Sequence, residues 1–150
     1  MKDNKEKVHK FLEIPKAVIF DTDNTLYPYA PAHKEASLAV EEKIEKILGV
    51  AKEDFREAFS EAREEIKSRL GDVASSHSRL LYMQATLEKL ELGTRILLTL
   101  DLEQTYWRTF LNNCRLFPDV LSFIQLLKSK GIITANITDL TAQIQFRKLV

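Results

Sequence analysis

The stretch Ala17-Val18-Ile19-Phe20-Asp21-Thr22-Asp23 constrains this chain more than any other. An unbroken apolar run from Ala17 to Phe20 reads as a short strand buried on both faces, the pattern of inner strands in parallel sheets. The run stops at Asp21. Two carboxylates one residue apart therefore stand at a strand end, which is where open α/β sheets place their ligands. Pro15 and Pro28 bracket the unit as strand plus loop.

Alternation along an extended chain points Asp21 and Asp23 the same way, and a turn at Thr22 spreads them. An ionised aspartate can act as a nucleophile and form an acyl-phosphate. A second, protonated aspartate can give its proton to a leaving oxygen and later activate water. Two close carboxylates also attract a hard cation, Mg²⁺ above all. The same residues suit a plainer reading, a turn through Asp23-Asn24-Thr25 capped by Asp21. The strand before the pair and Asn24-Thr25-Leu26-Tyr27 after it tip the balance towards chemistry.

From Val18 to Pro28 the sequence resembles motif I of the haloacid dehalogenase (HAD) superfamily, in the subgroup with a helical cap. The resemblance implies that Asp21 is the nucleophile and a magnesium ligand. It makes Asp23 the general acid/base, offering its main-chain carbonyl to the metal, with Thr25 supporting the loop. Thr22 departs from the apolar residue more usual there, whose role is packing. True 2-haloacid dehalogenases lack the second aspartate, so Asp23 implies phosphate chemistry.

Composition excludes several other classes. Lys+Arg and Asp+Glu both count 22, which leaves no basic field to hold nucleic acid or an anionic membrane. The single cysteine, Cys114, cannot form an internal disulfide, suits a reducing compartment, and reads as a small buried apolar residue. No apolar run approaches the roughly 18 residues of a membrane span. The charged stretch from Met1 to Lys10 lacks the apolar centre of a signal peptide. A cytoplasmic chain is expected. Met1 to Glu13 reads as a weakly helical lead-in with Val8, Phe11 and Leu12 on one face and His9 on the surface.

Tyr27-Pro28-Tyr29-Ala30-Pro31 is too proline-rich for a helix interior and reads as a stiff hinge. Tyr27 and Tyr29 can face a substrate there, though packing against the cap is the favoured role. Helical periodicity follows. Val40, Ile44, Ile47 and Leu48 recur at three and four, with Gly49 as a stop. Phe55, Ala58, Phe59, Ala62, Ile66 and Leu70 continue it up to Gly71. Gly71 to Ser78 is a break, and His77 within it reads as structural or as a minor substrate contact. Leu80, Met83, Leu87 and Leu90 mark another helix. Ile96 to Leu100 forms a short apolar patch, after which Asp101 and Gln104 resemble a capping box opening a further helix. On that helix Leu102, Tyr106 and Phe110 share a face beside Trp107, as core rather than as a base-stacking platform. Residues 32–113 are thus expected to form an all-helical cap.

The remainder, 1–31 and 114–150, reads as an incomplete Rossmann-like HAD core: an α/β unit with parallel strands near 17–21 and 132–138. Asp119 is placed at a helix N-cap, with Leu121, Ile124 and Leu127 facing the sheet and Gly131 ending the helix. Ile132 to Ile137 supplies the second strand, and Asn136 within it would need buried hydrogen-bond partners. The resemblance extends here. It makes Thr138 the motif II hydroxyl, which with the following amides, Asp139 first, holds phosphoryl oxygens. Gln145-x-x-Lys148-Leu149 also fits the segment after motif II. Lys148 reads as a surface residue, because a helix leaving the site carries it roughly 10–15 Å away at about 1.5 Å per residue.

The motif III cation and motif IV acid of the family have no match in these 150 residues, so a truncated chain is expected. The resemblance implies a magnesium-dependent phosphohydrolase of a small phosphorylated metabolite. The Asp-Asn-Thr-Leu-Tyr-Pro wording is nearest to nucleotidase-like members and hints at nucleoside monophosphates. As it stands the chain is expected to bind Mg²⁺ weakly, to be inactive, and to self-associate through open strand edges. The alternative is a non-catalytic fragment or interaction module.

Overall fold

A computed structural model describes residues 14–138 and 140–149. The lead-in helix, His9 and Asp139 lie outside the described residues. Strand β1 (Ala17–Phe20) pairs in parallel with β2 (Ile133–Asn136), Ala17 opposite Ile133 and Phe20 opposite Asn136. The Ile137 amide extends the ladder to the Phe20 carbonyl at 2.9 Å. Asp21 and Thr138 therefore leave the sheet at the same edge, as the strand endings predicted.

Between the strands come α1 (Tyr29–Leu48), α2 (Lys52–Leu70), a 3₁₀ turn (Ala74–His77), α3 (Arg79–Lys89), α4 (Ile96–Asn113) and α5 (Val120–Ser129); α6 (Ala142–Leu149) follows β2. This is a partial HAD-type α/β core with an inserted helical cap. In the cap α1 packs along α4, α2 along α3, and α3 against α4. Ala32, Ala36, Val40 and Ile44 from α1 meet Leu102, Tyr106 and Phe110 from α4 in one buried cluster, with Met83 and Leu87 from α3 closing it. The aromatics are core, as their spacing predicted: Trp107 stands edge-on to Tyr106 at 5.1 Å between ring centres.

Two expectations are corrected, and a third holds in position only. The proline-rich hinge is the start of a helix, since α1 begins at Tyr29 and holds Pro31 in its first turn, where a missing amide hydrogen costs nothing. The capping box at Asp101 is not a helix start. Helix α4 runs unbroken from Ile96, and the Asp101 carboxylate instead pairs with Lys43 of α1 at 2.6 Å. Asp119 occupies the N-cap of α5 but makes no side-chain cap bond, its backbone being already helical.

The strand layer also departs from its pattern. Expected to be buried on both faces, β1 leaves Ile19 59% exposed, and β2 is exposed throughout, Asn136 included, so that amide needs no buried partner. On α5 only Leu127 is buried, while Leu121, Phe123 and Leu126 face solvent. The apolar periodicity is genuine, but with two strands and one flanking helix there is nothing among the described residues to cover it.

Two ties fix the cap to the catalytic loop. Asn24 sits at a left-handed φ of 60°, which asparagine tolerates, and its Oδ1 accepts the Tyr29 amide at 3.0 Å. Where the chain returns from the cap, the Phe117 amide donates to the Leu26 carbonyl at 2.9 Å.

Candidate active site

Asp21 ends β1 with its side chain in solvent, while Asp23, two residues on, turns inward and is partly buried. The turn at Thr22 that separates them is closed by the Thr25 and Leu26 amides, which both donate to the Thr22 carbonyl. Thr25 thus supports the loop through its backbone, its side chain being exposed. Leu26 and Tyr27 then plunge into the cap cluster and anchor the loop from its far end.

Asp23 Oδ1 receives two donors, the Tyr27 hydroxyl and, at 2.6 Å, the Lys148 ammonium. Burial raises the Tyr27 pKa far above the ordinary phenol range, and the hydrogen bond and charge of Asp23 raise it further. Tyr27 therefore remains a donor at every ordinary pH. Its role is in the loop's own architecture, consistent with the packing function preferred from sequence.

Lys148 is the correction that matters most here. It is not on the surface: its side chain is 1% exposed, and its ammonium lies 5.5 Å to 5.8 Å from the ring centres of Phe110, Tyr27 and Trp107. That distance range suits cation–π attraction. Counting helical rise assumed that α6 leads away from the site, whereas tertiary contacts turn it back. The Gln145 amide nitrogen donates to the hydroxyls of Thr138 and Thr22, the latter at 3.3 Å. Lys148 is three residues further along the same helical face and so reaches Asp23.

Gln145 also gives Thr22 a purpose that an apolar residue cannot serve, since the fully buried Thr22 hydroxyl is satisfied by it. The sequence signal was present in the Gln-x-x-Lys spacing, but spacing alone did not say which groups it would join. The Thr138 oxygen accepts from Gln145 and from the Leu140 amide at 3.3 Å. With its acceptor side occupied, the hydroxyl proton is left to donate.

Beside Asp23 and Asn24 opens a cavity of about 310 Å³ roofed by the cap. Its wall carries Arg63 and Lys67 from α2, His77 from the 3₁₀ turn, and Arg79 from α3. Tyr29, Tyr82 and Trp107 complete the apolar side. Tyr29 thus does line the cavity, and its hydroxyl accepts from Arg79 at 2.6 Å. The sequence reading did not single out Arg63, Lys67 or Arg79, which look there like part of a solvated helix face.

The oxygen chemistry of Asp21 and Asp23 suits Mg²⁺, but the donor set is short. Among the described residues no group of three or more His, Cys, Asp or Glu side chains is placed to hold a metal. The Asp23 carboxylate is moreover already engaged by Lys148 and Tyr27. A magnesium ion favours six oxygens in near-octahedral array, and these residues alone do not supply them.

Residues 15–148 match the model of the haloacid dehalogenase-like hydrolases. The chain belongs to that family. A ribulose-1,5-bisphosphate 5-phosphatase from Halopiger xanaduensis is 36% identical over 134 residues, covering 89% of this chain and 56% of that protein. A crystal structure of a dehalogenase superposes with a TM-score of 0.46 at 19% identity, over 93% of this chain and 57% of the other. The chain thus spans a little over half the length of the relatives it matches. In membrane terms, none of the described helices is long and apolar enough to cross a bilayer.

Proposed function

We propose that this chain carries the nucleophile, the acid/base and the cap of a phosphomonoester hydrolase that works through an aspartyl-phosphate. The observation that carries the proposal is the pairing at one sheet edge of a solvent-facing Asp21 with an Asp23 held on a single oxygen by Lys148 and Tyr27. Asp21 attacks phosphorus, and the bond from phosphorus to the ester oxygen breaks. The leaving oxygen is protonated through Asp23 Oδ2, the oxygen that Lys148 and Tyr27 leave open by bonding to Oδ1. Water then attacks the same phosphorus and gives a proton back to Asp23, and the bond to Asp21 breaks, releasing phosphate. Thr138 steadies the phosphoryl oxygens throughout.

Magnesium is the cofactor that the family implies. It would neutralise charge between nucleophile and phosphate, with Asp21 and the Asp23 carbonyl as the available ligands and weak binding as the expectation. The substrate is a small phosphorylated metabolite. The nucleotidase-like wording of the loop supports a nucleoside monophosphate, and the named relative supports a sugar bisphosphate. A second reading, a non-catalytic interaction module, draws support from the apolar residues exposed on α5 and the strands.

Hydrolysis of an aryl phosphate at high magnesium separates the two. Once the site is completed by a motif III cation and a motif IV acid, the catalytic reading expects turnover that vanishes in Asp21→Asn, because an amide does not attack phosphorus, and slows by roughly 10²-fold or more in Asp23→Asn; the 150 residues alone are expected to show little or none. Equal rates in the parent and in Asp21→Asn would remove the nucleophile assignment. No turnover by the completed chain leaves the interaction module standing.

A further inference from the structure

The cavity beside Asp23 has an unbalanced wall. Among the described residues that line it, Asp23 is the sole acid, facing Arg63, Lys67, Arg79 and His77. Asp23 already has its own cation in Lys148. Some basic side chains of the cap find carboxylates: Lys43 has Asp101, Arg56 has Glu41, and Lys89 has Glu61 and Glu65. Among the described residues Arg63, Lys67 and Arg79 form no such pair. For Arg79 this is costly, because its guanidinium is lodged over the rings of Tyr82 and Tyr106 at 5.3 Å and 5.2 Å. Its Nε–H is shut away from solvent with no hydrogen-bond partner, although another of its nitrogens donates to Tyr29, and the buried indole N–H of Trp107 also has none. Each orphaned buried donor costs free energy that a hydrogen-bond acceptor would recover. The surplus of positive charge is also felt outside the cavity. His33, next to Tyr106, is held below its ordinary pKa by burial first and then by Arg79 and Arg63.

We infer that Arg63, Lys67 and Arg79 form a subsite for a second anionic group of the substrate, so that the substrate class is a small phosphomonoester carrying a further phosphate or carboxylate. The inference rests on the phosphatase reading only in placing the reacting phosphate at the Asp21 end. At the other end the ligand's anionic oxygens would face a wall of donors with no competing carboxylate among the described residues. A nucleoside monophosphate, with its single phosphate, leaves that wall unanswered.

Trp107 is the chain's single tryptophan and lines the cavity, so its fluorescence reports binding. The probes are a pentose bisphosphate, the matching pentose monophosphate, and a phosphoglycerate carrying one phosphate and one carboxylate. The parent chain should bind the bisphosphate roughly tenfold or more tighter than the monophosphate, the scale of one charge-assisted contact. The phosphoglycerate distinguishes the two anions: it follows the bisphosphate if any anion suffices, and the monophosphate if a phosphate is required. The double variant Arg63→Gln/Lys67→Gln should lose the preference. Arg63 is exposed and Lys67 only partly buried on the outer face of α2, so folding should survive, as a melting curve would verify. Equal binding of bisphosphate and monophosphate by the parent, no binding of either, or a preference that survives in the double variant would each overturn the subsite. The two readings fail separately. Preferential binding, with no turnover even once the site is completed by a motif III cation and a motif IV acid, sinks the hydrolase and keeps the subsite, whereas turnover of both esters by that completed chain at equal kcat/KM with equal binding sinks the subsite and keeps the hydrolase.

Discussion

Helices α4 and α5 carry comparable runs of large apolar side chains, and they end in opposite states. On α4, Leu102, Tyr106 and Phe110 are almost wholly shut from water by α1 and α3. On α5, Leu121, Phe123 and Leu126 stay about half exposed, and the strands beside them are no better covered. Sequence pattern specifies which face of an element wants burial, but not whether the same chain supplies the cover. The cap closes on itself. The strand layer offers an apolar surface and leaves it open among the described residues.

The comparison breaks most easily at its aromatic extremes. Phe110→Ala should cost about 3–5 kcal/mol by denaturant unfolding, since it removes a fully buried ring and leaves a cavity, whereas Phe123→Ala should stay within about 0.5 kcal/mol. Similar costs for the two would mean that the layers are not packed as differently as described. A smaller effect sharpens the border between them. Lys148→Met keeps the apolar stem under the aromatics but strips Asp23 of its cation, and should cost about 1–3 kcal/mol, discounted because the Asp23 side chain is 30% exposed. In a double-mutant cycle with Asp23→Asn the two losses should fall short of additivity; simple addition would show that the pair does not tie α6 to the loop after β1.

Acid should act first on the closed layer. His33 is held below its ordinary pKa of 6.5, so the unfolded chain takes up a proton before the folded one does. Its contribution to stability is complete above about pH 6.5 and is lost as the pH falls through the depressed folded value. The melting temperature should drop over that window, and His33→Asn should flatten the drop. An unchanged slope in the variant would place the acid sensitivity elsewhere. The smallest effect on stability, again within about 0.5 kcal/mol, is expected for Phe123→Lys with Leu126→Lys. The open layer should nevertheless reveal itself in light scattering, with the parent self-associating and the double variant less so.

Much of this was legible in the residues. The step from Phe20 to Asp21 marks a strand end because an apolar run that stops at a carboxylate leaves few alternatives, and the 3.6-residue period of the cap helices needs only local information. Lys148 was not legible, because where a helix points after leaving a strand depends on contacts such as those of Gln145 with Thr22 and Thr138, more than a hundred positions apart in the first case. Arg79 escaped notice for a related reason. A guanidinium on an amphipathic helix looks solvated until the fold sets aromatic rings against it.

The cap leaves the core through Leu26 and returns through Phe117, and those two crossings are hydrogen-bonded to each other. Exit and return are thereby held at one junction, and the Asn24 side chain, bonded to the first turn of α1, ties the loop bearing Asp23 to it. The aim of Asp23 and the seat of the cap are therefore set by the same few hydrogen bonds.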